Sequence, residues 1–517
     1  MFEFIQRHAK SIRGVLSGFD RLRLRGTIRQ LAHSEGLNWY LRCADVLLKD
    51  FGKYVVSVSD RVKESAQKLA EQSDRPVKYL PGGGDKEALA RRALREHPIE
   101  QGLIGVWSAV ENCRSYEIFR NHNTKRLELH SALRKCLHYY FYFLDRRFGF
   151  MHARLQTWFP FSVHICLNGR EWLCRDLDHR GIGYRRRENC LIQVDKPDFA
   201  QILLDRQLRI DWVAALDKIA AIVHPVRADL ARACPLPYYW TLDQSEWATD
   251  VMFSTPRALA EVYPLLVAFG MKQFGARDVM RFLGRKVPTE GFGKFQGEVI
   301  SDLKYRPEGM RIKHAVGGNS IKLYDKQGSV LRTETTINDP HDMKVYRTKE
   351  GDAGGKKDWR ILRKGVVDIP RRAQICQRAN KQYLDALAAA ADSTPLSEWT
   401  TPICQSVSYH GRSIRGLRPF APEDSTLLAA VQRGEFTING FRNRDLQAVL
   451  FSSTPKTDAE RRQRSSIVTR QLRMLRAHGL IRKVTATHRD QVSDKGRRVI
   501  TAILAARDAN TKTLTAL

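Results

Sequence analysis

Acidic side chains are the residues of this sequence that could hold a catalytic metal ion. Metal-dependent cleavage of a phosphodiester needs two or three carboxylates around divalent cations about 4 Å apart, and Mg²⁺ is the cofactor expected of such a nuclease or transposase-like enzyme. The candidates lie on or beside predicted strands and turns: Asp20, Glu111, Glu117, Glu171, Asp176 and Glu334. Because the chain has 56 acidic residues, any single one is expected to be a surface charge or the partner of an arginine.

A tyrosine offers a second kind of chemistry. In SIKLYDKQGSVLRTET, Tyr324 and Lys326 form a Tyr-x-Lys arrangement, and this run resembles a stretch of filamentous-phage replication initiators. The resemblance implies a strand-nicking enzyme in which Tyr324 forms a phosphotyrosine link and histidines hold the metal. Such enzymes typically carry a His-hydrophobic-His strand, whereas the nearest equivalent here, Val163-His164-Ile165-Cys166, has one histidine.

Cysteines give no indication of a metal site or a disulfide framework. The nine cysteines are scattered, and no pair has the Cys-x-x-Cys spacing that is typical of zinc ligands. His164, Cys166 and Cys174 lie near one another in sequence, but we expect the cysteines to be reduced and structural. We therefore predict no bound metal and no cofactor, with Mg²⁺ as the exception if the protein is a nuclease.

A helix near the C-terminus carries side chains suited to contact nucleic acid. In RRQRSSIVTRQLRMLRAHG, Val468, Leu472 and Leu475 fall on one face, which we expect to be buried. A helix with polar and basic side chains on its other faces suits the major groove of DNA. The residues of this helix and of the following loop that we expect to bind nucleic acid are Ser465, Ser466, Thr469, Arg470, Arg473, Arg476, His488 and Arg489.

The elements around this helix follow a recognisable order. Ser425 and Asn443 are predicted to cap two preceding helices, with a short strand at Phe436–Ile438 between them. After the helix, Leu480–Val484 and Asp490–Val492 are predicted to pair around an exposed connection, and Ser493 to cap a last helix. The run VTRQLRMLRAHGLIRKV, with VSDKGRRVITAIL after it, resembles bacterial winged-helix regulators, which implies a DNA-binding domain over residues 422–517. Winged helices also serve as protein-docking modules, so that alternative stays open.

The charge of the chain indicates a polyanionic partner. Lys and Arg number 87 against 56 Asp and Glu, a formal net charge of +31, and such an excess favours nucleic acid over any other partner. Residues 423–517 contain 18 basic and 9 acidic residues, so most of the excess lies elsewhere. DNA is the expected partner, with structured RNA as an alternative, and the oligomeric state stays open.

Hydropathy argues against a membrane protein. No apolar run of about 18 residues occurs, and the first residues, MFEFIQRHAKSIRG, lack the apolar stretch of a secretory signal. We therefore expect a cytoplasmic protein without a membrane partner.

The elements that must position these residues predict an α+β, multidomain protein. Strand-like segments follow Gly102, and Glu111 and Glu117 flank ENCRSYE, which we interpret as a turn. Met151–Trp158 and Phe161–Leu167 are predicted to pair, with a tight turn at Asn168-Gly169, and residues 199–282 are predicted to be mostly helical.

No internal sequence repeat is evident. The expected order is an N-terminal α/β region (1–98), a mixed α+β core whose sheet is covered by helices (99–346), a linker and connecting helix (347–421) and the winged helix (422–517).

Three functions fit this sequence. The first is binding without catalysis, in which a basic, aromatic-rich sheet grips DNA or structured RNA and the winged helix selects a duplex site. The second is metal-dependent cleavage by the carboxylates, and the third is strand nicking by Tyr324. A mobile or replicating element is the setting that the resemblance implies.

Overall fold

The computed structural model describes residues 3–81, 84–284, 299–306, 309–349, 352, 354–388, 395–433, 436, 440–484 and 487–509, and the structural statements below concern these residues. The helices are α1 (Glu3–Arg7), α2 (Ser34–Cys43), α3 (Phe51–Gln72), α4 (Lys86–Glu96), α5 (Gly169–Asp178), α6 (Pro197–Arg206), α7 (Trp212–Val223), α8 (Val226–Leu230), α9 (Pro256–Gln273), α10 (Ala276–Phe282), α11 (Ile369–Ala388), α12 (Leu396–Cys404), α13 (Pro422–Val431), α14 (Asn443–Leu450), α15 (Asp458–Ala477) and α16 (Asp494–Asp508). The strands are β1 (Ile12–Ile28), β2 (Val77–Tyr79), β3 (Gly102–Arg120), β4 (Leu127–Asp145), β5 (Gly149–Gln156), β6 (Val163–Asn168), β7 (Tyr184–Arg187), β8 (Cys190–Val194), β9 (Tyr238–Phe253), β10 (Val299–Arg306), β11 (Gly309–Val316), β12 (Asn319–Lys326), β13 (Val330–Ile337), β14 (Lys344–Arg347), β15 (Asp358–Ile361), β16 (Val407–Tyr409), β17 (Arg412–Ile414), β18 (Ile481–Lys483) and β19 (Asp490–Val492).

One large mixed sheet organises most of the chain. Its eleven strands lie in the order β10-β11-β12-β13-β9-β1-β6-β5-β4-β3-β2. Neighbours pair antiparallel except β2 and β3, which are parallel. The expected α+β class, with a sheet core covered by helices, is confirmed. Strand β1, from the region expected to precede the core, lies at the centre of this sheet.

The sheet repeats one topology twice. In the first half, β1 is followed by helices and then by the meander β3-β4-β5-β6, whose last strand returns to pair with β1. In the second half, β9 is followed by helices and by the meander β10-β11-β12-β13, whose last strand returns to pair with β9. Because β1 and β9 pair antiparallel, the two halves meet at the middle of the sheet.

Helix α11 covers one face of the sheet at its centre. Phe19 of β1 packs edge-on against Trp247 of β9, and both are buried. Helix α11 crosses over them, where Asn380 donates hydrogen bonds to the backbone oxygens of Trp247 and Thr333. A buried amide that bridges two neighbouring strands fixes the helix on the sheet, because leaving either carbonyl unpaired would be costly. Helix α11 therefore belongs to this core by its packing.

The core corrects the sequence-based expectations at two places. Residues 199–282 are mostly helical as expected, but they also include a strand that was missed, the 16-residue β9 at the centre of the sheet. Asn168-Gly169 does not form a hairpin turn, because Asn168 is the N-cap of α5 and its side chain accepts hydrogen bonds from the backbone N–H groups of Arg170 and Glu171. Both errors arise because short motifs and apolar spacing are ambiguous between helix and strand.

The described C-terminal residues include the helices α13, α14 and α15, the hairpin of β18 and β19, and the last helix α16. Val468, Leu472 and Leu475 of α15 are buried as expected, and Ser493 caps α16 by accepting from the N–H of Gly496. The strands β18 and β19 pair as expected. The caps of the first two helices differ from the predicted Ser425 and Asn443. Helix α13 begins at Pro422, before Ser425, and the N-cap of α14 is Arg442. The predicted strand at Phe436–Ile438 lies largely outside the described residues, and Phe436 is helical.

Within the described part of the chain, no helix is long and apolar enough to cross a membrane.

A buried histidine predicts how stability depends on pH. Burial lowers the pKa of His224 from 6.5 to about 3, and its Nδ1 lies 2.7 Å from the hydroxyl of Tyr238. Since the unfolded chain then binds one more proton than the folded chain between these values, stability falls as the pH drops below about 6.5, by roughly 1.4 kcal/mol per pH unit for this group. The substitution His224→Gln is expected to flatten the pH dependence of the unfolding free energy between pH 6.5 and 4.5, measured by urea titration.

The exposed His122 supplies the control. His122→Gln should leave the slope as in the unsubstituted protein, and an unchanged slope in His224→Gln would contradict the assignment.

Candidate active site

Three carboxylates meet on the other face of the sheet, where the two halves join. Asp20 of β1, Glu246 of β9 and Glu334 of β13 each contribute an oxygen, and these oxygens all lie within 4.8 Å of one another. The side chains of Asp20, Glu246 and Glu334 are 6%, 12% and 4% exposed. Three negative charges this close repel one another, so the group suits a divalent cation with oxygen ligands.

A β-bulge places Asp20 in this group. Phe19 pairs with Trp247 and Arg21 pairs with Glu246, so Asp20 is the extra residue of β1. A bulge re-aims one side chain without ending the strand. The start of α5 packs directly on it, since a Cβ atom at Gly169 would lie 2.0 Å from the backbone oxygen of Phe19. Only glycine fits there, and the close approach of α5 holds the bulge in place.

Tyr324 points its hydroxyl at the carboxylates. It lies on β12, and its hydroxyl donates a 2.7 Å hydrogen bond to Oε2 of Glu334. Burial and the negative charge of Glu334 raise the pKa of Tyr324 well above its usual value, so the phenol keeps its proton in this arrangement. Lys322, directly opposite Glu334 in the strand register, donates a 2.5 Å hydrogen bond to Oε1 of the same carboxylate.

Buried arginines fix the floor of the site. Arg332 is fully buried, and its Nη1 and Nε lie 3.1 Å and 2.5 Å from carboxylate oxygens of Asp20 and Asp250. Arg170 of α5, also fully buried, lies 2.9 Å from the other oxygen of Asp250. Burial acts to lower the pKa of Arg332, but Asp250 and Asp20 raise it well above its usual value. The network ties β1, β9, β13 and α5 together beneath the carboxylates.

The carboxylates differ in their affinity for protons. Burial and the neighbouring charge of Glu334 raise the pKa of Glu246. Burial also acts to raise the pKa of Glu334, but Lys322, Arg332 and the Tyr324 hydrogen bond lower it. Glu334 is therefore held as an anion, whereas the anionic form of Glu246 is destabilised by burial and by its neighbour. A bound cation would stabilise the anionic form of both carboxylates.

A basic face surrounds this site. Along β1, Leu22 and Leu24 lie on the side of the sheet that α11 covers, whereas Arg21 and Arg23 lie on the same side as the carboxylates. The strand registers place further cations on that side in both halves. We define the basic face by Arg21, Arg23, Arg25, Arg154, Lys304, Arg311, Lys313 and Lys322.

The remaining acidic candidates have partners elsewhere. Glu111 and Glu117 lie within the continuous strand β3 and do not flank a turn: Glu111 pairs with Arg154 at 2.7 Å and Glu117 pairs with Arg134 at 2.8 Å. Glu171 and Asp176 lie on α5, which replaces the predicted turn.

Glu171 accepts a 2.9 Å hydrogen bond from Arg186, and Asp176 lies 3.4 Å from Arg180. Of the candidates, the structure brings together Asp20, Glu334 and Tyr324.

The C-terminal candidates divide into two groups. Ser466, Thr469, Arg470 and His488 are exposed, and Arg473 is half-buried. The other group, Ser465, Arg476 and Arg489, makes contacts within the domain. The backbone oxygen of Ser465 accepts a 2.9 Å hydrogen bond from Asn443, which also donates to the exposed Thr469 Oγ1 at 2.9 Å. Arg476 pairs with Asp490 at 2.7 Å, and Arg489 donates to the Gly440 backbone oxygen at 3.1 Å. Residues 485–486 of the connection between β18 and β19 lie outside the described part.

Glu246 was missed because its strand was missed. The segment YYWTLDQSEWATDVMF lies between two helical patterns, and an extra residue at Asp243 interrupts its alternation, because Arg23 pairs with Gln244 and Leu24 with Leu242. Its aromatic and β-branched residues were a signal for a strand. His164, in the segment compared with a His-hydrophobic-His strand, pairs with Arg154 and Arg25 in the sheet register and is not in the carboxylate group.

Comparisons of the chain with protein-family models, with curated proteins and with solved structures gave no match.

The buried arginine yields a prediction about stability. Replacing Arg332 with leucine leaves Asp20 and Asp250 short of a buried partner, which is expected to cost about 3 to 5 kcal/mol of unfolding free energy. The measurement is a urea titration followed by the fluorescence of the buried Trp240 and Trp247.

The matched control is Arg134→Leu, which removes a pair whose side chains are 45% and 44% exposed and should cost less than about 1 kcal/mol. Equal losses in the two variants would show that the buried network does not hold the sheet.

Proposed function

We propose that this protein cleaves nucleic-acid strands, using a divalent cation held by Asp20, Glu246 and Glu334 and the hydroxyl of Tyr324 as nucleophile. The observation that carries the proposal is the group of three carboxylate oxygens within 4.8 Å of one another, with the Tyr324 hydroxyl 2.7 Å from Glu334. Mg²⁺ or Mn²⁺ suits such oxygen ligands.

The reaction follows from the positions of these groups. The Tyr324 hydroxyl oxygen forms a bond to phosphorus while the bond from phosphorus to the leaving sugar oxygen breaks, and the phenolic proton passes to Glu334. The leaving sugar oxygen takes up a proton from water. The cation would offset negative charge on the phosphate, and Lys322 would add a second positive charge beside it. The product is a strand joined to the protein through phosphotyrosine.

The basic face supports a nucleic-acid substrate. Its cations lie on both sides of the carboxylate group, so a strand that crosses the site would meet positive charge before and after the reacting phosphate. The formal charge of +31 gives the same indication for the whole chain. DNA is the proposed substrate, with structured RNA as the alternative that the cleavage test decides.

We further propose that residues 422–517 are a winged-helix module that directs the protein to duplex DNA. Support comes from the order of α13, α14 and α15, the hairpin β18-β19 and α16, and from the exposed Arg470 on α15. In this arrangement α15 enters the major groove and the hairpin acts as the wing.

Cleavage is tested with labelled single-stranded DNA, duplex DNA and RNA, with and without Mg²⁺ or Mn²⁺. We expect metal-dependent cleavage and a protein–nucleic acid adduct that survives denaturation. Tyr324→Phe should abolish the adduct, and Glu334→Gln and Glu246→Gln should each slow cleavage by roughly 100-fold or more, because they remove a proton acceptor or a metal ligand.

Tyr305→Phe and Glu117→Gln are the matched controls, since Tyr305 is 83% exposed and Glu117 lies outside the carboxylate group. Cleavage without an adduct would reject Tyr324 as nucleophile and favour water. No cleavage of any substrate would leave the chain as a binding protein.

Targeting is tested by the double substitution Arg470→Ala and Arg473→Ala. If both arginines bind phosphates, affinity for duplex DNA should fall, and the slope of log affinity against log salt should decrease by about 0.9 for each phosphate that is no longer neutralised. The control is Arg257→Ala, an arginine on α9 whose side chain is 88% exposed. Unchanged affinity and slope in the double variant would reject α15 as the DNA-contacting helix.

A further inference from the structure

A second cluster of metal-ligating side chains lies far from the carboxylates, on the other half of the sheet. Cys113 of β3 and Cys136 and His138 of β4 each offer a ligand atom, and these atoms lie within 4.8 Å of one another. The two Sγ atoms are 2.8 Å apart, and Nδ1 of His138 is 4.0 Å from Cys136 Sγ. All three residues are buried. The proposed strand cleavage uses none of them.

The cluster marks the place where β3 and β4 leave the sheet. On one side, β5 pairs with β4 only as far as His138, opposite Gln156. On the other side, β2 pairs with β3 only as far as Ser108. Beyond these points the two strands continue as a two-stranded ribbon up to the pair Arg120 and Leu127. A two-stranded ribbon is marginally stable in water, so a cross-link between β3 and β4 at its base would stabilise the pairing of the two strands.

We propose that Cys113, Cys136 and His138 bind a structural Zn²⁺ ion at the base of this ribbon. Two thiolates and an imidazole are ligands that zinc prefers and magnesium does not. A water molecule would take the fourth tetrahedral position, because Glu111, which lies directly opposite Cys136 in the strand register, pairs with Arg154 at 2.7 Å.

The surroundings of the cluster suit thiolate ligands. The backbone N–H of Trp158 hydrogen-bonds to the sulfur of Cys136, and such second contacts orient metal-bound groups. Nδ1 of His138 lies 3.1 Å from the backbone oxygen of Cys136, so it gives up this hydrogen bond when it donates a lone pair to zinc.

The distance between the two sulfurs is that of neither a formed disulfide nor a pair of thiolates on zinc. A disulfide requires about 2.05 Å between sulfurs, and two thiolates on one tetrahedral zinc lie about 3.7 Å apart, given Zn–S bonds of about 2.3 Å. The observed 2.8 Å lies between these values. Binding zinc requires the two side chains to separate by about 1 Å, whereas a disulfide would require them to approach and an oxidant to accept two electrons.

The test measures metal in the full-length protein, purified without chelator or added oxidant. Mass spectrometry of the metals should find about one zinc per chain. The double variant Cys113→Ser, Cys136→Ser should have none, whereas Cys166→Ser should match the unsubstituted protein, because Cys166 lies on the same side of the sheet but outside the cluster. Replacing zinc with Co²⁺ should give thiolate-to-cobalt charge-transfer absorption, which a carboxylate site cannot produce.

Three outcomes would overturn the proposal: absence of zinc from the unsubstituted protein, retention of zinc in the double variant, or a Cys113–Cys136 disulfide among unreduced peptides. If the double variant does not fold, the cobalt spectrum of the unsubstituted protein decides, and its lack of charge-transfer bands rejects the site. Zinc binding is measured independently of strand cleavage, so a negative result for one proposal leaves the other standing.

Discussion

Strand β1 pairs with β9 from Ile12 and Phe253 to Ile28 and Tyr238, and this pairing joins two meanders that share no strand. The packing on both faces of the sheet depends on this pairing of β1 with β9. On one face it supports Phe19, Trp247 and helix α11. On the other it brings Asp20 and Glu246 next to each other and places Glu334 one strand away. Because β1 belongs to one half and β9 to the other, a site at this pair contains residues from both halves.

The buried charges explain why this centre is stable although it is polar. Burying Arg332, Arg170 and Asp250 would be strongly unfavourable one at a time, but each carboxylate oxygen of Asp250 faces an arginine and Arg332 also reaches Asp20. The network gives the carboxylates above it a fixed position. Glu246 and Glu334 keep their mutual repulsion, which a bound cation would relieve.

The two halves share a topology but differ in their side chains. The second half contributes Glu246, Glu334 and Tyr324 to the carboxylate site, whereas the first half contributes Asp20 and carries the cluster of Cys113, Cys136 and His138. No repeat was visible in the sequence because a sheet's topology depends on which strands pair, and many different side chains satisfy the same pairing.

The sequence by itself determined the class of fold, the basic character of the chain, the pairing of β5 with β6 and the order of the C-terminal helices, because these follow from composition, alternation and capping. It also singled out Asp20, Glu334 and Tyr324. Tertiary structure alone decided which acidic residues meet, since Asp20 and Glu334 are 314 positions apart and a bulge aims the first of them. Glu246 and the pairing of Cys113 with Cys136 stayed hidden for the same reason: strand register is set by contacts between distant segments, and a shift of one residue turns every side chain to the opposite face.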